Sequence, residues 1–391
     1  LSLHDALPIF AAIFIVIFFI PYTASGFAAC GKLFSSLFGV NYLTAMIISA
    51  IVIVAYTTLG GFLAASTTDF IQSIIMSVAL IVVLIFGVET AGGIGAVIHN
   101  ASELPGYLSM TLSYDVNTGK AAPYSALTIV STAAWGLGYF GMPHILLRFM
   151  AIEDEKKLKL SRRVATIWVV ISLFVAVFIG VIGYTMSKVG ALEMLTGSNS
   201  ETIIVKISAL LSQHGVIFAL LAGVILAGIL ASTMSTSDSQ LLAASSAVSS
   251  DILGAFRKDS SNKNGSMAAA RITLLVISVV AAFIARNPDS SVFAIVSFAW
   301  AGFGAAFGPV VLFSLFWKRT NKWGALAGMV CGGSMVFIWK YLIRPLGGIW
   351  NIYELLPAFL IACAAIVIVS LLTPKPSKEI EEEFDRVAQM K

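Results

Sequence analysis

Four hydroxyl side chains recur at helical spacing in the stretch STMSTSDSQLLAASSAVSSD, residues 232–251. Ser232, Ser235, Thr236 and Ser239 are three or four residues apart, so a helix places them on one face. Hard cations prefer oxygen ligands, and a buried row of hydroxyls suits Na+. Small side chains also let two membrane helices pack closely. The pattern alone leaves both the ion site and the packing surface open.

A second candidate binding segment is WGLGYFGMPHILLRFM, residues 135–150. Trp135, Tyr139 and Pro143 recur every four residues, with three glycines among them. Glycine and proline in one span predict an interrupted helix whose freed backbone groups line a cavity. Aromatic faces and backbone dipoles suit a small zwitterion, because the rings pack its apolar part and the dipoles meet its charges. The alternative is a bent core helix with packed aromatic residues.

Charged residues beside the apolar segments are candidates for an ion path. Asp69 follows three hydroxyl residues and is either the N-cap of the next helix or a residue of ion coupling. For Asp238 we favour a solvated charge in an inner vestibule over a place on the ion exit route. His144 and Arg148 are expected at a cytoplasmic helix end, where a cation interacts favourably with the helix dipole.

The sequence contains no constellation suited to catalysis. A phosphate-binding glycine loop, HExxH, CxxC and a credible Ser-His-Asp set are all absent, and the four histidines are scattered. The three cysteines lack metal-ligand spacing and are interpreted as small packing residues. We expect neither an enzyme nor an organic cofactor. Because no basic stripe with interleaved aromatic residues occurs, we expect no nucleic-acid partner.

The elements that position these residues are membrane-spanning helices. Of the 391 residues, 58% are hydrophobic and 11% are charged, a balance that a water-soluble domain of this size does not tolerate. A helical crossing needs about 20 apolar residues, and runs of that kind predict an all-α, polytopic membrane helix bundle. Ten spans are predicted, near 9–30, 42–60, 70–92, 125–150, 164–187, 216–249, 270–286, 291–316, 323–342 and 354–373.

Lys and Arg set the orientation, because cytoplasmic loops carry most of these residues. If the spans alternate, 17 of the 24 basic residues fall on the side that also holds the tail 374–391. We therefore predict a multi-pass protein of the plasma (inner) membrane with a cytoplasmic C-terminus. Residues 93–124 and 188–215 then lie outside, where 201–213 is predicted to form an amphipathic helix over the outer mouth. The polar linker 257–266 is predicted to be a flexible cytoplasmic loop.

Five motifs, in order along the chain, resemble the sodium/solute symporter family and closely its sodium:proline symporters. They are GGFLAASTTDFIQ, WGLGYFGMPHILLRFM, MSTSDSQLLAASSAVSSDI, SFAWAGFGAAFGPVVLFSLFW and GALAGM. The resemblance runs from about residue 10 to the tail. It implies a single transporter domain over 1–391 whose core is a pair of five-helix inverted repeats.

The resemblance also implies thirteen helices, of which the ten predicted spans are the fourth to the thirteenth. Residues 9–92 are then the remainder of the first repeat, and 125–316 are the second repeat. Residues 323–373 form two appended helices, and 374–391 form the cytoplasmic tail. Because the chain starts LSLHDALP, without Met or a basic n-region, we expect a truncated N-terminus.

The family's sodium site is carried over onto the hydroxyl row. The resemblance implies hydroxyl ligands at Ser235 and Thr236 and a backbone carbonyl near Ser232. Ser239 is expected to line the adjacent ion path. Asp69 matches an aspartate that the family ties to ion coupling.

The implied substrate pocket contains Trp135, Tyr139 and Pro143, faced by Tyr22 of the first span. Met142 stands where many relatives have a polar residue, which bears on specificity for proline. The expected function is uptake of L-proline, driven by inward movement of Na+ through alternating access. The alternatives are a symporter of another amino acid, a carboxylate or a vitamin, and a nutrient sensor on the same fold. Beyond Na+, proline and membrane lipid, no obligate protein partner is inferred.

Overall fold

The apolar runs of the sequence form helices in the computed structural model, which describes residues 3–256 and 263–389. Within these ranges the helices are α1 (Leu3–Phe38), α2 (Tyr42–Thr90), α3 (Ile94–Ser102), α4 (Ala126–Ala133), α5 (Pro143–Met150), α6 (Leu158–Lys188), α7 (Ile203–Ser212), α8 (Val216–Ser246), α9 (Leu253–Phe256), α10 (Lys263–Ile284), α11 (Val292–Phe316), α12 (Lys322–Ile338), α13 (Leu355–Leu372) and α14 (Lys378–Gln389). An antiparallel hairpin of β1 (Leu112–Asp115) and β2 (Lys120–Pro123) lies between α3 and α4.

In the described ranges, nine helical segments are long and apolar enough to cross a membrane. Large apolar side chains cover much of their outer surface, and Leu59 and Leu63 are 81% and 80% exposed. Such a surface is stable only against lipid, because apolar groups are driven out of water. The prediction of a polytopic helix bundle is confirmed.

The predicted span 125–150 is interrupted. It consists of α4, a 3-10 helix at Ala134–Gly141 and α5. Pro143 is the first residue of α5, where its missing N–H and fixed φ favour a helix start. The glycines and the proline thus break this helix as predicted.

α2 holds two spans, Tyr42–Gly61 and Ala65–Thr90. They meet at Gly61, where φ is 63° and ψ is −166°, outside the helical region. Glycine adopts this conformation readily, whereas a residue with a Cβ atom is strained in it. The chain kinks at Gly61 and enters the second span at Ala65.

α11 packs in the core of the bundle. Every residue from Phe298 to Pro309 is buried, and the helix contacts α1, α12, α13 and the 3-10 helix of the broken span. Phe18 of α1 packs edge-on against Phe298 and Phe303, with ring centroids 5.9 and 5.8 Å apart. Small residues in AWAGFGAAFG permit these close contacts.

α7 is the helix predicted within residues 201–213. Val205, Ile207 and Leu211 are buried, and the helix packs against α8 and α2. On its polar side Lys206 forms an ion pair with Glu193 at 2.8 Å. The prediction of a helix here is confirmed, and its place over the outer mouth stays a prediction.

Ion pairs between distant segments agree with the predicted alternation of the spans, because each joins two segments predicted on the same side. The pairs on the predicted outer side are Lys32–Glu201 and Lys188–Glu103, and one on the predicted inner side is Lys318–Asp385. This inner pair links α14 to the turn after α11. Residues 257–262 of the predicted linker lie outside the described residues.

Candidate functional site

Three oxygen atoms of α8 meet where the sequence predicts a sodium site. The hydroxyls of Ser235 and Thr236 both donate to the backbone carbonyl of Ser232, at 3.2 and 3.0 Å. Hydroxyl side chains in helices often bond back to a carbonyl three or four residues earlier. Each hydroxyl uses its hydrogen in this bond, so its lone pairs remain available to a cation. The donor set therefore has the chemistry that Na+ requires.

Ser239, the fourth residue of the predicted face, belongs to a different group. Its hydroxyl accepts a hydrogen bond from Nη2 of Arg148 at 2.8 Å and donates to Oδ1 of Asp238 at 3.2 Å. The same nitrogen of Arg148 forms an ion pair with Asp69, and Tyr56 donates to Oδ2 of Asp238 at 2.8 Å. We call these five side chains, which join α2, α5 and α8, the inner polar cluster.

The inner polar cluster corrects two interpretations of the sequence. Asp69 lies inside the second span of α2, after Ala65, so the N-cap alternative is wrong. Asp238 has no exposed surface, so a solvated vestibule charge is wrong too. A buried carboxylate is stable only with hydrogen bonds or an opposite charge, and the structure supplies hydroxyl donors to Asp238 and a guanidinium to Asp69.

A cavity of about 530 Å³ adjoins the inner polar cluster. Arg148 and Ser239 line it, together with His144 of α5 and Ser246 at the end of α8. The Arg148 side chain is 42% exposed, whereas that of Asp69 is 10% exposed. The cluster is therefore open on its Arg148 side and closed around its carboxylates.

The aromatic residues of the broken span lie against α11. Trp135 stacks on Phe293, Trp300 and Tyr353, with ring centroids 5.5, 5.3 and 5.9 Å apart. Trp135 is therefore packed among aromatic rings, as the alternative of a bent core helix with packed aromatic residues describes. Tyr139 contacts Trp300 edge-on at 4.8 Å and is 44% exposed.

Tyr139 and the helix α8 share a cavity of about 450 Å³. Ser232 and Thr233 line it with Tyr139, and its other walls are mainly apolar side chains of α2, α6 and α8. The structure thus brings the predicted solute segment and the predicted sodium helix to one place. Apolar walls beside hydroxyl oxygens suit a small solute with an apolar body.

Pro143 and Tyr22 are placed differently from Tyr139. Pro143 begins α5, and Tyr22 on α1 faces the neighbouring His144 edge-on, with ring centroids 6.2 Å apart. Neither residue lines the cavity that Tyr139 shares with α8. The four predicted solute residues therefore form two groups, one against α11 and one at the junction of α1 and α5.

Tyr56 and Trp300 are residues of the site that the sequence did not indicate. Tyr56 lies in an apolar run, and its bond to Asp238 joins residues far apart in the chain. Trp300 was only weakly indicated as a site residue, by the presence of an indole within a run of small residues. A buried indole N–H needs an acceptor, and such an acceptor is seldom evident from sequence.

On the side predicted to face outward, Glu201 connects three segments. It pairs with Lys32 of α1 at 2.7 Å, and it accepts hydrogen bonds from Ser291 Oγ at 2.9 Å and from the N–H of Phe293 at 3.4 Å. Burial acts to raise the pKa of the Glu201 carboxyl, but these hydrogen bonds outweigh it, and the pKa lies below its ordinary value. The charged carboxylate thus joins α1 to the start of α11.

Comparisons with known proteins agree on the class of protein. The family model described as the sodium:solute symporter family matches residues 4–332. The osmoregulated proline transporter of Bacillus subtilis is 39% identical over 372 residues, which are 95% of this chain and 72% of that protein. The sodium/proline symporter of Haemophilus influenzae is 39% identical over 391 residues, with 98% and 75% covered.

A solved structure is similar to the fold as a whole. It is a substrate-bound, outward-open state of a Na+-coupled sialic acid symporter, with a TM-score of 0.72 and 17% identity. The match covers 94% of this chain and 75% of that one. At this level of identity the likeness concerns the fold alone.

Proposed function

The chain belongs to the sodium:solute symporter family, and from this premise we propose that it couples inward movement of Na+ to uptake of L-proline. Members of this family are transporters, and the chain is not an enzyme. Alignments with relatives named for proline transport cover at least 95% of its residues. A symporter needs a cation site and a solute site that respond to the same conformational change.

The observation that carries the proposal is the cavity shared by Tyr139 and Ser232. It supports a solute site beside the oxygens of Ser232, Ser235 and Thr236, which we propose as ligands of Na+. For the solute we propose contacts with Trp135, Tyr139, Pro143 and Tyr22. An imino acid with an apolar ring and two charges suits aromatic side chains beside a broken helix.

In this proposal Na+ and proline stabilise the same occluded state. Each ligand then raises the affinity of the other by an equal factor, typically about 1–3 kcal/mol of coupling free energy. The broken span and α8 belong to neighbouring parts of the bundle, so a rearrangement that moves one against the other changes both sites. Na+ entering across about 100 mV adds about 2.3 kcal/mol per charge to its concentration gradient.

We further propose that Asp69 and Ser239 lie on the inner ion path. They belong to the inner polar cluster, which adjoins the 530 Å³ cavity on the predicted cytoplasmic side. The excess of Lys and Arg on that side supports a cytoplasmic C-terminus. Na+ that leaves Ser235 would pass these oxygen atoms before it reaches the cavity.

The proposed function is tested by uptake of labelled L-proline into vesicles that contain the complete natural protein. We expect accumulation with an inward Na+ gradient and none when K+ replaces Na+. Unlabelled amino acids, carboxylates and vitamins serve as competitors. Strong competition by another solute, with weak competition by proline, would assign a different substrate. Saturable binding without accumulation would indicate a sensor.

A further inference from the structure

Trp300 on α11 contacts both aromatic residues of the 3-10 helix in the broken span. Its ring stacks on Trp135 with centroids 5.3 Å apart and interplanar angle 16°, and it meets the ring of Tyr139 at 4.8 Å and 86°. Stacked and edge-to-face pairs at these separations are the favoured aromatic geometries. One indole therefore fixes the positions of two rings on a neighbouring element.

The indole also holds the backbone between those two rings. Nε1 of Trp300 donates to the carbonyl oxygen of Trp135 at 2.9 Å. A Cβ atom added at Gly138 would lie 1.9 Å from the same nitrogen, so the indole rests directly on the backbone there. Only glycine permits this approach, and the 3-10 helix therefore cannot shift without moving Trp300.

Trp300 itself is poorly placed to touch a solute. It is 7% exposed, and it does not line the cavity that Tyr139 and Ser232 share. It contacts Tyr139, which lines that cavity, and Trp135, the other ring proposed to contact the solute. Any action of Trp300 on transport must pass through these neighbours.

We infer that Trp300 is a positioning residue that sets the spacing of Trp135 and Tyr139 and thereby the affinity for the solute. The inference rests on the proposed function, in which these two rings contact proline. Because the oxygens of Ser232, Ser235 and Thr236 belong to α8, Trp300 should act on proline and leave Na+ binding nearly unchanged. A residue that only stabilised the fold would reduce the amount of active protein and alter neither affinity.

The first test replaces Trp300 with Phe, which keeps an aromatic ring and removes the N–H donor. Loss of this hydrogen bond and a weakened ring contact predict a rise of about tenfold in the KM for proline. The half-saturating Na+ concentration, measured at saturating proline, should change less than twofold. Equal changes in both constants, or an unchanged KM, would overturn the inference.

W339F is the matched control. Trp339 also donates its indole N–H to a backbone carbonyl, that of Ile352 at 3.2 Å, and also contacts another aromatic ring, that of Trp350 at 5.9 Å. It contacts no residue of the broken span in these interactions. W339F should therefore leave the KM for proline within twofold of the unsubstituted protein. A tenfold rise in W339F as well would mean that loss of any such indole bond has this effect.

A double-mutant cycle distinguishes positioning from general packing. If Trp300 acts through Tyr139, then W300F should raise the KM much less in a Y139L background than on its own. Additive effects would contradict the inference while leaving the proposed function intact. Absence of Na+-driven uptake in the unsubstituted protein would instead contradict the proposed function.

G138A provides a second variant should W300F fold poorly. The added methyl group must displace the indole, so the bond from Nε1 to the Trp135 carbonyl is lost while every aromatic ring remains. The inference expects the same rise in the KM for proline at nearly constant Na+ dependence. A normal KM in G138A would contradict it.

Discussion

Two hydroxyls of α8 share one backbone carbonyl, and this sharing gives the proposed Na+ ligands their geometry. Ser235 and Thr236 are each held by their own helix, so a cation would meet oxygens already in place. Fixed ligands reduce the entropy lost on binding. The spacing of hydroxyls in the sequence predicted this face, but periodicity could not show that Ser239 points into a separate cluster.

Replacing Ser235 or Thr236 with Ala should raise the half-saturating Na+ concentration for proline uptake. Loss of one oxygen ligand costs on the order of 1–2 kcal/mol, which corresponds to roughly 5- to 30-fold. The measurement is uptake at fixed proline over a range of Na+ concentrations. S278A is the control, because Ser278 is a buried serine of α10 whose hydroxyl bonds to Leu274 in the same way. Unchanged Na+ dependence in both α8 variants would remove the proposed site.

Replacing Arg148 with Gln should destabilise the protein more than replacing an exposed basic residue. Asp69 is nearly buried and would lose its ion partner, at a cost of about 1–3 kcal/mol. Thermal unfolding in detergent measures the effect, with K157Q as the control because the Lys157–Glu153 pair is exposed. The D69N/R148Q double variant should recover part of the lost stability. Equal melting temperatures in R148Q and K157Q would contradict this reading of the inner polar cluster.

At the scale of elements, the broken span could be predicted and its neighbours could not. Glycines and Pro143 indicated an interruption between 125 and 150, and the structure has a 3-10 helix there. The rings of Trp135 and Tyr139 were predicted to face a solute, whereas Trp135 packs mainly on Phe293, Trp300 and Tyr353. Contacts between elements so distant in the chain leave no periodic signal in either segment.

Glu201 offers a pH-dependent contact between elements. Its pKa is lowered in the folded protein, so its charge stabilises the fold at neutral pH. That stabilisation should be lost as pH falls below the ordinary value of 4.5 and through the lowered pKa. Melting temperatures of the unsubstituted protein and E201Q should therefore differ at pH 7 and converge as pH falls through the lowered pKa. A constant difference across this range would exclude the carboxylate charge as the cause.

At the scale of the whole molecule, composition alone predicted a membrane bundle, and the structure and the comparisons confirm it. The approximate positions of the spans followed from apolar run length, because an isolated span must satisfy its own backbone hydrogen bonds. The lengths of the apolar runs did not predict which helices pack against each other. All lipid-exposed helix faces look alike in sequence, so packing order depends on contacts such as Phe18 against Phe303.

The orientation can be tested with single cysteines in a background that lacks Cys30, Cys331 and Cys363. N117C lies in the exposed turn between β1 and β2, and K156C lies in the exposed loop before α6. In intact cells a membrane-impermeant maleimide should label N117C and should label K156C only after permeabilisation. The opposite pattern would reverse the proposed orientation and put the C-terminus outside.

The kink at Gly61 has a consequence for how the protein moves. Tyr56 lies before the kink and Asp69 lies after it. A chain of hydrogen bonds and one ion pair, through Asp238, Ser239 and Arg148, connects the two segments. The angle at Gly61 can therefore change only if at least one of these contacts lengthens or breaks.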